Sequence, residues 1–501
     1  MCVILKVHLH LFLHLQASKT IVLLKQIIKS SFIFTIGNMM PLLTSVVLLF
    51  PYTTYLQPGL YGELALYIAF TLLVQYLANY GLDNYVGIHH YEYKKDQEQL
   101  KKFIGSVVGA LMVIGAGLTI VFLVSGAFIF DSIFKGELPF FPFGFMAVLT
   151  GVFNSLFRTY INFLFYRDKP KRHLYFNIFN FVVTLVLCIG GLLLFPDSII
   201  GPMWGRLLSG ALIFLLAGIF FIREYGLHFD TSMLKGLHRF CIPVAGFYVL
   251  TWVLAYINNY ILNDLATLTD VGIYDFALKC VLLIEITQTS LAQTFNPKIY
   301  DMWSATGMRK SSLEENRYHN VFTMLSVVMI ALSILLLPLV VQLLVKNESY
   351  YAIFQYLPVL CISFVFRPLY NAFYNSAIFY KKTIALPRVL LFSSILQIVL
   401  AIILIKQFDI WGAVWSYALI KPIQVLLFWM ECRSIFQFKF NPYKMIVLPL
   451  GYTLLIVLLF FLNNNASYYF NGAIQLLAVG IVTLVIFRKE LPRVKTLFLG
   501  K

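Results

Sequence analysis

Apolar runs of about 20 residues follow one another from about residue 30 to about residue 487, separated by short stretches rich in charge, Pro or Gly. A helix needs about 20 such residues to cross the hydrocarbon core of a bilayer, and barrel strands would instead be about ten residues long and alternating. The pattern therefore predicts membrane-spanning helices, the only plausible reading when every backbone polar group must be satisfied without water. Fourteen spans are expected, over 30–56, 60–88, 103–130, 140–166, 174–195, 198–222, 240–263, 271–297, 320–345, 351–380, 386–405, 410–431, 445–462 and 468–487. The fold class expected is an all-α polytopic membrane protein with 12 to 14 transmembrane helices.

Composition agrees with the pattern: 60% of the 501 residues are hydrophobic and 12% charged, with mean hydropathy +0.83. Soluble proteins carry about a quarter charged residues. The net charge of +16 follows from topology, because Lys and Arg are retained in cytoplasmic loops. Loops after even spans hold Lys94, Lys95, Lys101, Lys102, Arg167, Lys169, Lys171, Arg172, Lys298, Arg309, Lys381 and Lys382, whereas loops after odd spans hold only Lys135, Lys346 and Lys406. Both termini are thus expected in the cytoplasm, and nucleic acid is not an expected partner. A signal peptide in the first residues would invert this charge pattern, so residues 1–29 read as a cytoplasmic or interfacial extension. Its histidines His8, His10 and His14 lack a partner cluster, and the six cysteines are scattered without CxxC, so no metal site or disulfide framework is expected.

The two halves repeat. "FRTYIN" at 157 returns as "FRPLYN" at 366, "GPMW" at 201 as "GAVW" at 412, "LVQ" at 73 as "LIE" at 283, "FYR" at 165 as "FYK" at 379, and Gly62 as Gly272. Offsets of 209 to 214 map span two onto eight, four onto ten and six onto twelve. Six helices per repeat is an even number, so both copies enter the membrane in one orientation and their pseudo-axis runs along the membrane normal. The expected architecture is an N-terminal six-helix bundle at 30–222, a C-terminal bundle at 240–431, two additional helices at 445–487 and a basic tail at 488–501, with a central cleft between the bundles.

Five basic residues fall inside spans: Arg158, Arg206, Lys279, Arg367 and Lys421. Each would cost about 2.5 to 3.5 kcal/mol at a lipid-exposed helix centre, so all must face protein or water. Asn154, Arg158 and Asn162 form one polar stripe at helical spacing, and Ser363, Arg367, Asn371 and Asn375 another. Asp275 lies one turn before Lys279 and pairs with it in the simplest reading. The other four have no acid one turn away in the same helix, and the intramembrane acids are few, Glu285 at mid-span and Asp83 nearer an end. Excess positive charge in the cleft is the expectation. Guanidinium forks suit phosphate oxygens, so the five cations are candidate holders of an anionic head group, with Asn154, Asn162, Asn371, Asn375 and Gln75 lining the cleft. Glu285, Asp83 and Asp275 are candidate ion-coupling groups for a proton or sodium ion. No GxxxxGK[ST] loop is present, which argues against direct use of ATP.

"YLQPGLYGELALYIAF" after the first span, "NYGLDNYVG" closing the second and "LTDVGIYDFALK" opening the eighth resemble the polysaccharide-biosynthesis transporters, the Wzx-type O-antigen and capsule flippases of the multidrug/oligosaccharidyl-lipid/polysaccharide exporter superfamily. That resemblance implies a non-enzymatic flippase that carries a polyprenyl-pyrophosphate-linked oligosaccharide across a bacterial plasma membrane by alternating access. It implies membrane lipids, and the polymerase and ligase machinery of polysaccharide assembly, as partners, and no cofactor. Twelve spans are usual there, and fourteen depart from it. The rival readings are a MATE-like exporter of small molecules, which would want acids in a first span that has none, and an embedded enzyme of lipid-linked glycan assembly, which would want larger loops with acid/base or metal-binding groups. GxxxG at Gly105–Gly109 and at Gly201–Gly205 is expected to serve helix packing within the chain.

Overall fold

The computed structural model describes residues 30 and 33–462, save 94, 227 and 383, together with 480, 481, 483 and 485–488. Residues 1–29 with their histidines, most of the fourteenth expected span and the tail beyond 488 lie outside the described residues. The regular structure of the described residues is helical: α1 (Ile33–Tyr55), α2 (Pro58–Asn79), α3 (Leu82–Tyr93), α4 (Gln97–Phe134), α5 (Phe145–Tyr166), α6 (Pro170–Leu194), α7 (Ile200–Tyr225), α8 (Leu237–Leu265), α9 (Leu268–Thr306), α10 (Met308–Leu344), α11 (Leu357–Ile362), α12 (Arg367–Phe379), α13 (Ala385–Cys432) and α14 (Leu448–Leu462).

Local chemistry sets the boundaries. Pro58 and Pro170 occupy the first turns of α2 and α6, where a missing N–H costs nothing. Asp96 caps α4 by accepting from the backbone N–H of Glu98 and Gln99, and Thr267 with Asp270 forms a reciprocal capping box on α9. Tyr80 (φ 54°) and Gly81 (φ 82°) take left-handed conformations that part α2 from α3.

Ten helical stretches of the described residues are long and apolar enough to cross a membrane. Three departures from the expected list have local causes. The expected spans 386–405 and 410–431 share one helix, α13, broken at Asp409 (φ 47°, ψ −125°). The eighth, α9, has the length but carries Asp270, Asp275, Lys279 and Glu285, and it is not among the ten. The tenth span is divided, with 3-10 turns at Glu348–Gln355 and Ser363–Phe366 flanking α11.

In the first half α2 packs on α5, α5 on α7, and α7 on α6; in the second, α9 packs on α10, α8 on α13 and α12 on α13. Between the halves α2 runs along α8 and α9, with Trp252 Nε1 donating to the Ala69 carbonyl (2.7 Å) and Tyr260 Oη to that of Leu66 (3.1 Å). The buried apolar side chains form one cluster shared by both halves around Tyr61, Val271, Tyr274 and Tyr350. Toward the ends that carry the basic loops the core divides, into a cluster around Phe103 and Phe163 and another around Phe295 and Phe373. A core continuous at one end and split at the other leaves the cleft on the basic side.

The continuous end is locked by backbone. A Cβ on Gly62 would lie 2.1 Å from the Leu268 carbonyl oxygen, and one on Gly272 1.9 Å from that of Pro58. Around this contact Lys135 pairs with Asp264 (2.5 Å), Asn347 Nδ2 donates to Gln57 (3.2 Å), and Tyr350 Oη donates to the Leu56 carbonyl (2.9 Å). Both GxxxG pairs pack inside the chain: Gly105 and Gly109 admit Gly226, His228 and Phe229 against α4, and Gly201 and Gly205 admit Gly191 and Cys188 of α6 against α7.

Candidate functional site

A hollow of about 290 Å³ opens between α1 and α9, lined by Asn38, Met39 and Leu42 on one side and Glu285, Ile286 and Thr289 on the other. Glu285 also faces a second, water-sized pocket of about 20 Å³, whose wall holds Arg367, Tyr370, Lys421 and Gln424. Three helices thus bring one carboxylate and two cations to the edge of the hollow. Arg367 Nη1 stands 3.8 Å from Glu285 Oε1, with Arg367 31% and Glu285 35% exposed. Nη2 of Arg367 reaches the Thr289 hydroxyl at 3.5 Å, and its guanidinium lies over the Tyr370 ring at 5.3 Å. Lys421 sits over the Tyr417 ring at 4.8 Å and faces both Glu285 and Arg367. Among the described residues no donor hydrogen-bonds the Glu285 carboxylate. The pair is loose, partly exposed and short of one negative charge.

The equivalent place in the first half is built differently. Asp83 at the start of α3 is fully buried, and its carboxylate accepts from Arg158 Nε (3.0 Å), Asn162 Nδ2 (2.8 Å), the backbone N–H of Asn84 (2.9 Å) and Tyr248 Oη (3.0 and 3.1 Å). Tyr248 belongs to α8 of the other half; its hydroxyl also accepts from Asn84 Nδ2 at 2.6 Å, and its ring stacks on Tyr76 at 5.3 Å. The Arg158 guanidinium lies over both rings, 5.3 Å from Tyr76 and 4.8 Å from Tyr248. This carboxylate has every lone pair engaged, so the cluster is a joint between the halves.

The expectation of uncompensated charge on Arg158 and Arg367 is corrected: each has an acid, on the neighbouring even span. The repeat does not reveal these pairs, since it maps span two onto eight and four onto ten and matches Glu285 with Gln75; the packing of span two against four and of eight against ten brings Asp83 to Arg158 and Glu285 to Arg367. Lys279 pairs with Asp275 as expected, at 2.6 Å, and Tyr61 of α2 joins them, donating to Asp275 (2.7 Å) while accepting from Lys279 (2.8 Å). Arg206 has no acid partner among the described residues; it lies against Tyr52 and Cys188 with its Nε buried and unbonded. Five cations therefore meet three carboxylates, and the excess rests on Arg206 and on the Arg367–Lys421 pair.

Of the expected cleft-lining amides, Asn371 and Asn375 are corrected as well. They are 7% and 1% exposed and both donate to Asn296 of α9 (2.9 and 2.7 Å), so they bind helix to helix. Asn162 is engaged by Asp83, Asn154 lies against Gly210 of α7, and Gln75 is half-buried on α2, where Gly151 of α5 closes on its backbone. Thr289, Tyr370 and Gln424, which do surround the cations, carry no sequence signal beyond their place on the even spans.

Residues 27–303 match the family model described as polysaccharide biosynthesis protein. The chain belongs to that family. No curated protein matches it in sequence. In fold this member of the polysaccharide biosynthesis family is similar to the lipid II flippase MurJ in an inward closed conformation, with a TM-score of 0.72 at 14% identity over 91% of this chain and 99% of that one. It is also similar to an inward-facing multidrug resistance MATE transporter of the MOP superfamily (TM-score 0.63, 15% identity, 80% of this chain and 95% of that one). A third likeness is to a MOP superfamily transporter from Pyrococcus furiosus with a binding pocket of reversed polarity (TM-score 0.57, 15% identity, 82% and 95%). The family protein described here is thus a multi-pass helical membrane protein with the fold of flippases and exporters.

Proposed function

We propose that the chain is a flippase that carries a polyprenyl-pyrophosphate-linked oligosaccharide, an O-antigen, capsule or exopolysaccharide repeat unit, across the bacterial plasma membrane. The observation that carries this reading is the single acid Glu285, which lines the hollow between α1 and α9 and is shared, in the small adjoining pocket, by Arg367 and Lys421 in a member of a polysaccharide biosynthesis family. A diphosphate supplies the missing negative charge, and guanidinium and ammonium donors strengthen toward it where water is scarce. Sugars find hydroxyl, amide and aromatic partners in Asn38, Thr289, Tyr370 and Gln424, while the isoprenoid tail stays among the lipids. In this reading both termini, and the hollow, face the cytoplasm, where such a substrate is made, and the basic loops support that orientation.

In this reading Arg206 is a second contact for the head group, Arg158 and Lys279 position helices, and Glu285 is the acid through which a proton or sodium ion is coupled. Asp83 and Asp275 are held by buried hydrogen bonds and keep the bundles together. Cargo chemistry also favours this reading over a MATE-like exporter of cations, because in the pocket beside the hollow two cations, Arg367 and Lys421, face one acid. No cofactor and no covalent step is assigned.

The deciding experiment uses proteoliposomes loaded with a fluorescent polyprenyl-pyrophosphate-linked oligosaccharide, scored by its accessibility to an impermeant quencher. Wild-type protein is expected to equilibrate the lipid between leaflets, and Glu285→Gln to lose dependence on a pH or sodium gradient. Export of cationic dyes without movement of the glycolipid would transfer the chain to the drug exporters, and a change in the glycan's covalent structure would make it an enzyme.

A further inference from the structure

The two halves handle their charges in opposite ways. Asp83 is sealed, with zero exposure and donors on all sides, whereas Glu285 is 35% exposed, 3.8 Å from its arginine and without a hydrogen-bond donor among the described residues. The repeat mate of Glu285 is Gln75, so the architecture does not require an acid at this position. Glu285 also lines both the larger hollow and the water-sized pocket that holds Arg367 and Lys421. An acid so placed does for the cations what an incoming anion would do.

We infer that Glu285 is a built-in competitor: it occupies Arg367 and Lys421 while the site is empty and is displaced when an anionic phosphate group enters. The inference rests on the head-group reading above and adds a regulation of that site. Two cations left wholly without a counter-charge at this depth would be costly, and an anion bound by two uncontested cations would be slow to leave. A tethered carboxylate removes both problems. It stabilises the empty site, and it returns to the cations as the phosphate departs, so that binding becomes an exchange of one anion for another. The cost is affinity, since every phosphate must first win the cations from Glu285.

The test measures binding of inorganic pyrophosphate to the full-length protein in lipid nanodiscs by calorimetry. Wild type, Glu285→Gln, Arg367→Ala and the double variant Glu285→Gln/Arg367→Ala are compared, with thermal unfolding to verify that each is folded. Glu285→Gln keeps the shape of the side chain and removes the competing charge, so pyrophosphate is expected to bind about two- to fivefold more tightly, the range given by a partly exposed ion pair. Arg367→Ala is expected to abolish most binding, and the double variant to lose the gain. Should wild type bind pyrophosphate while Glu285→Gln binds it equally or less well, the competitor role is overturned and the head-group site stands. If neither wild type nor Glu285→Gln binds pyrophosphate at millimolar concentration, the head-group reading itself falls.

Discussion

Gly62 and Gly272, equivalent positions of the two repeats, meet on the seam between the halves with no room for a Cβ on either. Each would drive a methyl group into a backbone carbonyl of the other half, 2.1 Å from that of Leu268 and 1.9 Å from that of Pro58. Equivalent residues of a parallel repeat can touch only where the pseudo-axis passes between them, so this pair marks the axis and shuts the end of the cleft away from the basic loops.

Gly272→Ala is therefore expected to separate the halves at that end. Overpacking of this kind costs about 1 to 3 kcal/mol, and the repulsion here is with backbone that cannot rotate away. A cysteine pair at Gln57 and Asn347, whose side chains hydrogen-bond at 3.2 Å across the seam, should cross-link readily in the parent chain and poorly once Gly272→Ala is added. Unchanged cross-linking would show that the seam is not what holds this end shut.

The Asp83 joint should behave as structure. Asp83→Ala leaves the Arg158 guanidinium without its carboxylate in a mostly buried setting, and removing one partner of such a pair costs about 3 to 5 kcal/mol. Arg158→Ala likewise strips Asp83 of its charged donor. Both should lower the unfolding temperature, and a double-mutant cycle with Asp83→Asn and Arg158→Gln should show strong coupling. Independent effects would return Arg158 to the role of a free cation.

Arg367→Ala and Lys421→Ala should do the reverse, lowering glycolipid movement by about tenfold or more while leaving thermal unfolding nearly unchanged, because the Glu285 pair is loose and partly exposed and such pairs contribute only about 0 to 1 kcal/mol to stability. Transport and stability falling together would instead place these residues in the frame of the protein.

Tyr248→Phe removes one hydroxyl that donates to Asp83 and accepts from Asn84 while keeping the ring stacked on Tyr76. The loss expected is about 1 to 1.5 kcal/mol, localised to the contact of α3 with α8. Faster amide exchange in residues 82–93 with little change elsewhere is the signature to look for.

The fold was largely legible from sequence because hydrocarbon imposes a length and a composition on every crossing. The repeat went further, since it matched span two with eight and four with ten and so placed Arg158 and Arg367 at equivalent positions. The charge balance is less legible: helical spacing reveals a partner one turn away on the same helix, as Asp275 is for Lys279, but Asp83 and Glu285 reach their arginines from neighbouring helices. Polar stripes misled in a related way. Asn371 and Asn375 share a face with Arg367, yet that face turns partly toward Asn296, and helical spacing cannot tell a wet groove from a hydrogen-bonded seam.

The contrast between sealed Asp83 and open Glu285 bears on how a duplicated carrier divides labour. Two copies of one repeat here carry a sealed charge cluster in the first half and an open one in the second. On the function proposed above, a head group held at Arg367 and Lys421 would lie to one side of the pseudo-axis that passes between Gly62 and Gly272.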